Sequence, residues 1–178
     1  MRFRETDLAG AWLLEAEPHR DDRGSFSRIW CRREFGERGL VTDLVQASLS
    51  WNARRGTFRG MHYQAPPRAE VKLVRCVRGA VYDVIIDLRP DSPSYYRHFG
   101  VELSAENQRA VYVPEGFAHG FQALEDDSEV LYHMSEFYSP EHGRGVRWDD
   151  PVFEIDWPVA DPIMNERDRD YPDFVPER

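Results

Sequence analysis

Short strand-like runs separated by turn residues recur along the sequence, and their spacing constrains the fold most. The run 80–88 is rich in β-branched residues, and 71–77 alternates apolar and basic side chains before the Arg78-Gly79 turn. Strands about 10 residues apart with little helix between them are typical of an antiparallel sandwich or barrel. The predicted strands are 40–48, 71–77, 80–88, 98–103, 109–113, 120–124 and 129–134, with short helices at 32–36 and near 162–168 and an irregular tail at 171–174.

Composition and charge narrow the class of protein. The 178 residues suit one domain, and 41% apolar with 13% aromatic residues can supply a core. A net charge of −9 argues against non-specific nucleic-acid binding, which needs a basic surface. Cys31 and Cys76 do not make a disulfide framework, and the N-terminal segment has the features of neither a signal peptide nor a membrane span. We therefore expect a cytoplasmic protein.

Two histidines follow turn-like segments in a way that suggests a site inside the barrel. His119 comes after a Pro-x-Gly turn that would direct it inward, which resembles the second motif of the cupin superfamily. Metal-binding cupins carry His-x-His in the first motif, but here His62 is followed two residues on by Gln64. A metal site would then need Glu70, which lies in a proline-rich loop, as a third ligand. The pattern favours a metal-free acid/base site, with purely structural histidines as the other interpretation.

Lys72 lies on the alternating strand 71–77, where a lone lysine is usually solvated. A functional role is expected instead if Lys72 shares a barrel face with His62 and His119, because a buried ammonium needs a partner or a charged substrate. In that position it would stabilise a developing oxyanion.

Two tyrosines and two arginines are further candidates. Tyr132 and Tyr138 flank a strand end and are either barrel aromatics or a phenolic acid and a stacking surface for a base. Arg23 and Arg59 could together supply the cations that a pyrophosphate needs on an acidic protein.

The order of the motifs closely resembles the dTDP-4-dehydrorhamnose 3,5-epimerase family over nearly the whole chain. The matching segments are 22–26, 56–64, 72–75, 79–84, 114–121, 144–151 and 165–168. The resemblance implies an all-β cupin (jelly-roll) antiparallel barrel with short peripheral helices, without metal or cofactor. It also implies a homodimer that inverts C3 and/or C5 of a nucleotide-linked 4-keto-6-deoxyhexose through an enolate.

The resemblance also implies roles for individual residues. His62 would be the base that removes the proton beside the ketone, and Asp168 would be the carboxylate paired with it. Tyr132 would return a proton to the opposite face, and Lys72 would stabilise the enolate oxygen. The implied substrate-binding positions are Arg23, Phe26, Gln46, Arg59, His119, Tyr138 and Arg167, with Arg23 reaching the phosphates in a neighbouring subunit's site.

We expect residues 1–178 to form a single domain. Its N-terminal arm, about 1–45, would lie at the dimer interface, and the segment of about 150–178 would pack back on the barrel. The sequence departs from the family pattern at Arg28, Ser48, Gly143 and Arg167, where a glutamate, an asparagine, a glutamate and a lysine are usual. These departures leave the nucleotide open.

Two alternatives remain at this stage. One is a metal-dependent cupin enzyme that uses His62 and His119. The other is a non-catalytic cupin that binds a sugar nucleotide, and it would gain support if Asp168 lay far from His62.

Overall fold

Thirteen β-strands and two short α-helices account for the regular structure of residues 1–175, the part of the chain that the computed structural model describes. The strands are β1 Arg2–Glu5, β2 Trp12–Glu15, β3 His19–Asp21, β4 Gly24–Phe26, β5 Gln46–Asn52, β6 Phe58–Gln64, β7 Lys72–Arg78, β8 Ala80–Asp87, β9 His98–Ser104, β10 Arg109–Val113, β11 Phe117–Ala123, β12 Ser128–Met134 and β13 Gly143–Gly145. Helix α1 spans Arg32–Gly36, α2 spans Glu166–Arg169, and a 3-10 turn covers Pro140–His142.

Two antiparallel sheets form the body of the molecule. One has the strand order β1-β2-β10-β7-β12-β5 and the other β13-β6-β11-β8-β9, while β3 and β4 form a separate hairpin. Both sheets contribute to the main core, where Val74 and Val130 of the first meet Ile85 and Phe121 of the second. This architecture confirms the predicted all-β cupin jelly-roll with short peripheral helices.

Most strand predictions are confirmed within a few residues, but two boundaries were wrong. The run predicted at 40–48 becomes a strand only from Gln46. The backbone hydrogen bonds that join this segment to β12 begin just before it, with the bond from Val45 N to Met134 O at 2.8 Å. Strand β11 begins at Phe117 rather than residue 120, so His119 lies inside it. Pairing with β8 already starts at Phe117, immediately after the Gly116 turn.

The helix predicted at 32–36 is confirmed, whereas the second is shorter than expected. Helix α2 covers Glu166–Arg169, because Asn165 caps it by accepting a hydrogen bond from Asp168 N at 2.7 Å. Neither helix of the described chain has the length and apolar character needed to cross a membrane.

The segment after Asp150 lies against the five-stranded sheet. The ring of Trp157 meets Phe58 edge to face at 4.9 Å, and Phe174 in the irregular tail packs on Phe153 at 5.4 Å. These contacts place α2, and with it Asp168, beside β6. The last three residues of the expected domain, 176–178, lie outside the described residues, and the single-domain assignment stays a prediction.

Candidate active site

A cavity of about 280 Å³ lies between the two sheets and gathers six of the predicted residues. The first sheet contributes Lys72 from β7 and Tyr132 from β12, and the second contributes side chains from β6 and β11. The complete lining is Ser50, Arg59, His62, Lys72, His119, Tyr132, Asn165 and Asp168.

His62 and Asp168 form a close pair on the five-stranded side of the cavity. The imidazole Nε2 donates to Asp168 Oδ1 at 2.7 Å, and Asp168 also accepts from Gly60 N at 3.3 Å. The carboxylate is buried, while the His62 side chain is 38% exposed to the cavity. Nε2 is engaged, so Nδ1 is the nitrogen left to take a proton from a bound molecule.

Tyr132 lies on the opposite wall, in the six-stranded sheet. Burial raises the pKa of its phenol well above the ordinary value, and the negative charge of Asp83 raises it further. The charge of Arg59 and a hydrogen bond with Ser50 act in the other direction. The phenol therefore carries its proton at neutral pH, so the cavity has a proton acceptor on one wall and a proton donor on the other.

Lys72 is mostly enclosed rather than solvated. Its Nζ lies 3.2 Å from Glu70 Oε1 and donates to His62 O at 3.2 Å, and the Lys72 and Glu70 side chains are each 11% exposed. The lysine thus brings an ammonium charge to the cavity with one carboxylate to compensate it.

The residues considered for a metal site have other partners. Glu70 pairs with Lys72, and Gln64 accepts from Ser139 N at 2.7 Å and donates to Arg68 O at 2.9 Å. Among residues 1–175, no three His, Cys, Asp or Glu side chains converge so that they could hold a metal ion.

Arg59 and His119 complete the polar lining, and each donates a hydrogen bond to a residue that was not among the predicted site residues. Arg59 Nε donates to Asn52 Oδ1 at 2.9 Å, and His119 Nε2 donates to the buried Asp83 Oδ2 at 2.8 Å. Two aspartates, Asp83 and Asp87, interrupt the otherwise apolar run 80–88, and this was a signal available for Asp83. Ser50 and Asn165 had no comparable signal.

Five of the predicted substrate-binding residues do not line the cavity. The Arg23 side chain is 90% exposed and pairs with Asp21, and Phe26 is 75% exposed on the same hairpin. The other three are Gln46, Tyr138 and Arg167. Gln46 accepts a hydrogen bond from Tyr138 N at 2.6 Å, and the Tyr138 side chain is exposed. Arg167 donates to Tyr171 Oη at 2.9 Å.

The four departures from the family pattern fall in three places. Arg28 pairs with Glu34 at 3.4 Å, and Ser48 is exposed on β5 opposite Tyr132. Gly143 and Arg167 are neighbours, because a Cβ on Gly143 would lie 3.4 Å from Arg167 Nη2.

A jelly-roll barrel with a histidine–carboxylate pair and a protonated phenol on opposite walls of one cavity defines a cupin-fold protein whose cavity is suited to acid/base chemistry. The profile of the dTDP-4-dehydrorhamnose 3,5-epimerase family matches residues 5–175. The chain belongs to that family, which confirms the resemblance and makes it an isomerase that epimerises a sugar nucleotide.

Individual relatives agree with this assignment. The chain is 44% identical to the dTDP-4-dehydrorhamnose 3,5-epimerase of Methanothermobacter thermautotrophicus over 173 residues, which are 96% of this chain and 92% of the relative. It is 40% identical over 171 residues to the dTDP-4-dehydrorhamnose 3-epimerase of Streptomyces niveus, covering 96% and 82%. The Bacillus anthracis 3,5-epimerase, solved with TDP and PPi bound, superimposes with a TM-score of 0.94 at 42% identity, covering 97% and 99%.

The ion pair between Lys72 and Glu70 leads to a prediction about stability. We expect Glu70→Gln to lower the free energy of unfolding by roughly 3 kcal/mol, because it leaves the Lys72 charge buried without a counter-charge. The control is Glu136→Gln, which breaks the more exposed pair with Arg68 and should cost about 1 kcal/mol or less. Urea unfolding followed by fluorescence measures both, and equal effects would contradict the assignment of Glu70 as the essential partner of Lys72.

Proposed function

We propose that the chain inverts C3 and/or C5 of a nucleotide-linked 4-keto-6-deoxyhexose through an enolate, without a metal ion. The observation that carries the proposal is the placement of the His62–Asp168 pair and Tyr132 on opposite walls of one cavity. Inversion of a carbon requires a base on one face and an acid on the other. The names of the relatives supply the substrate class.

In the proposed reaction, Nδ1 of His62 takes the proton from a carbon beside the C4 ketone. The electron pair of the broken C–H bond forms a C=C bond, and the C4 oxygen becomes an enolate. Lys72 stabilises that oxygen, an effect worth about 10²–10³ in rate for one well-placed donor. Tyr132 then donates its proton to the opposite face of the carbon, where the electron pair of the C=C bond forms the new C–H bond and the C4 ketone is restored. Solvent resets the site, because it takes the proton from His62 and returns one to the Tyr132 phenolate.

Two variants test these roles. We expect His62→Ala to lower the entry of solvent deuterium at C3 and C5 by about 10²-fold or more, because the base is gone. Tyr132→Phe should retain exchange on the His62 face but lose inversion, because no acid remains on the other face. NMR of the sugar nucleotide in D₂O measures both properties.

Tyr95→Phe is the matched control for these variants, because Tyr95 stacks on Tyr96 and does not line the cavity. It should behave like the unchanged protein. Wild-type rates of exchange in His62→Ala would contradict the assignment of the base, and absence of exchange in the unchanged protein would contradict the proposed function.

We propose that residues 1–178 form one domain that works as a homodimer in the cytoplasm. Strand β5 ends its sheet and exposes Leu49 and Trp51, which are 59% and 56% exposed, and such apolar edges favour association. The arm of about 1–45 carries Arg23 and Phe26 outside its own cavity, which suits a contribution to the cavity of a second copy. The unpaired thiols of Cys31 and Cys76 suit a reducing compartment.

Mixing two weakly active variants tests the shared site. Arg23→Ala and His62→Ala should each be weakly active alone. A mixed dimer should regain activity, because the His62→Ala chain supplies Arg23 to the cavity that retains His62. Activity assays after unfolding and refolding the mixture, with light scattering to measure mass, provide the readout. A monomer, or a mixture without recovery, would contradict the shared site.

We propose further that the nucleotide base stacks on Tyr138 with Arg167 facing its edge. Interactions with Tyr171 first, and with Tyr138 to a lesser extent, raise the pKa of Arg167, and the absent side chain at Gly143 leaves room for the guanidinium. A guanidinium has donors alone, so it suits the O4 acceptor of thymine or uracil and not the exocyclic amine of cytosine.

Nucleotide binding tests this arrangement. We expect dTDP to bind at least about tenfold more tightly than dCDP, and Arg167→Ala to remove most of that preference. Arg169→Ala, on the same helix, should leave the preference unchanged. Isothermal titration calorimetry gives the affinities, and equal binding of the two nucleotides by the unchanged protein would contradict the proposed role of Arg167.

A further inference from the structure

A second imidazole–carboxylate pair lies within the same cavity, and the proposed reaction leaves its carboxylate without a role. His119 and Asp83 are diagonal neighbours on β11 and β8, since His119 faces Ile85 and Asp83 faces Phe121. Their Nε2···Oδ2 distance is 2.8 Å, and the side chains are 4% and 0% exposed. This pair is therefore far more enclosed than His62 and Asp168.

The two carboxylates differ in how their charges are compensated. Asp168 accepts from His62 through Oδ1 and from the backbone N of Gly60 through Oδ2. Asp83 accepts from His119 through Oδ2, while its Oδ1 is buried without any hydrogen-bond partner in the described chain. A buried ionised carboxylate with one hydrogen bond is costly unless its partner is charged.

A proton on Asp83 itself would remove the buried charge but add no hydrogen bond, because Oδ1 has no partner in the described chain. A proton on His119 instead converts the contact into a charge-assisted hydrogen bond. Nε2 is directed at Asp83, so Nδ1 is the second N–H of the protonated ring and remains for a ligand in the cavity.

We propose that Asp83 is a positioning residue that holds His119 protonated, with Nδ1–H as a donor to the sugar oxygen that gains charge when His62 removes a proton. The inference rests on the proposed function. The two histidines then have opposite roles, because His62 must be free to accept a proton whereas His119 must keep one. The backbone donor on Asp168, and its absence on Asp83, match this division.

Kinetics of Asp83→Asn test the proposal, because asparagine keeps the shape and an acceptor but removes the charge. We expect kcat to fall about 10²-fold, as for loss of one oxyanion donor, with little change in KM. Ionised Asp83 favours the protonated ring, so its loss should shift the alkaline limb of the kcat profile to lower pH. The other titratable or charged groups that line this cavity are Arg59, His62, Lys72, Tyr132 and Asp168.

A double variant separates action through His119 from a general effect on the fold. If Asp83 acts through that ring, Asp83→Asn should add no loss in a His119→Gln background. Multiplying losses would overturn the proposal. The matched control is Asp87→Asn, since Asp87 is a buried aspartate on the same strand that bonds Arg89, Ser92 and Ser94 outside the cavity. It should lower the melting temperature without moving the alkaline limb.

Ring protonation can be measured without any substrate. In ¹⁵N-histidine-labelled free protein, we expect both His119 nitrogens to have the shifts of a protonated ring at about pH 7, and Asp83→Asn to return the ring to the neutral form. A neutral His119 ring in the unchanged protein at that pH would overturn the proposal. Absence of epimerisation together with a protonated ring would count against the proposed function and leave the Asp83–His119 assignment standing.

Discussion

The site depends on the close approach of β6 and β11 at two glycines. A Cβ on Gly60 would lie 2.5 Å from Gly120 Cα, and one on Gly120 would lie 2.9 Å from Gly60 Cα, so side chains cannot be accommodated there. The register shifts between His119 and Phe121, and His119 stands opposite His62. Because a slip of one residue would turn these side chains to the other face, the glycine contact decides whether both histidines enter the cavity. The same Gly60 also donates its amide to Asp168.

The cavity concentrates positive charge in an acidic protein. The chain carries a net charge of −9, yet Arg59 and Lys72 both line the cavity. Each is held by a neighbour, Asn52 for the arginine and Glu70 for the lysine. A neutral amide leaves the arginine charge without a paired carboxylate, so this side of the cavity attracts an anion such as a diphosphate, while the net negative charge of the chain disfavours nucleic acid.

Local patterns in the sequence predicted seven of the thirteen described strands, because alternation and β-branched runs are typical of strands. The convergence of Lys72 and Tyr132 with the two histidines was expected from family resemblance, since the local patterns also allowed a solvated lysine and a barrel aromatic. They could not supply Asp168, which lies 106 residues from His62 and was expected from family resemblance alone. Asp83 was missed because its partner is set by the register of β8 and β11, a long-range property. The start of β5 was misplaced because 40–45 contains leucine, valine and threonine, which are common in strands, although the strand itself begins only at Gln46.

Gln64 occupies the position where a metal cupin would have its second histidine, and its contacts explain what that position does instead. Its side chain accepts from Ser139 N at 2.7 Å and donates to Phe137 O at 3.3 Å, so it holds the residues on both sides of Tyr138. It also faces Gly143 across the β6–β13 pair, beside the guanidinium of Arg167. A neutral histidine at position 64 would have a single N–H donor, so it could not replace Gln64, which donates to both Arg68 O and Phe137 O while it accepts from Ser139 N. Glutamine at position 64 therefore has two consequences: the position lacks the imidazole of a metal-binding cupin, and it supports Tyr138, on which the nucleotide base is proposed to stack.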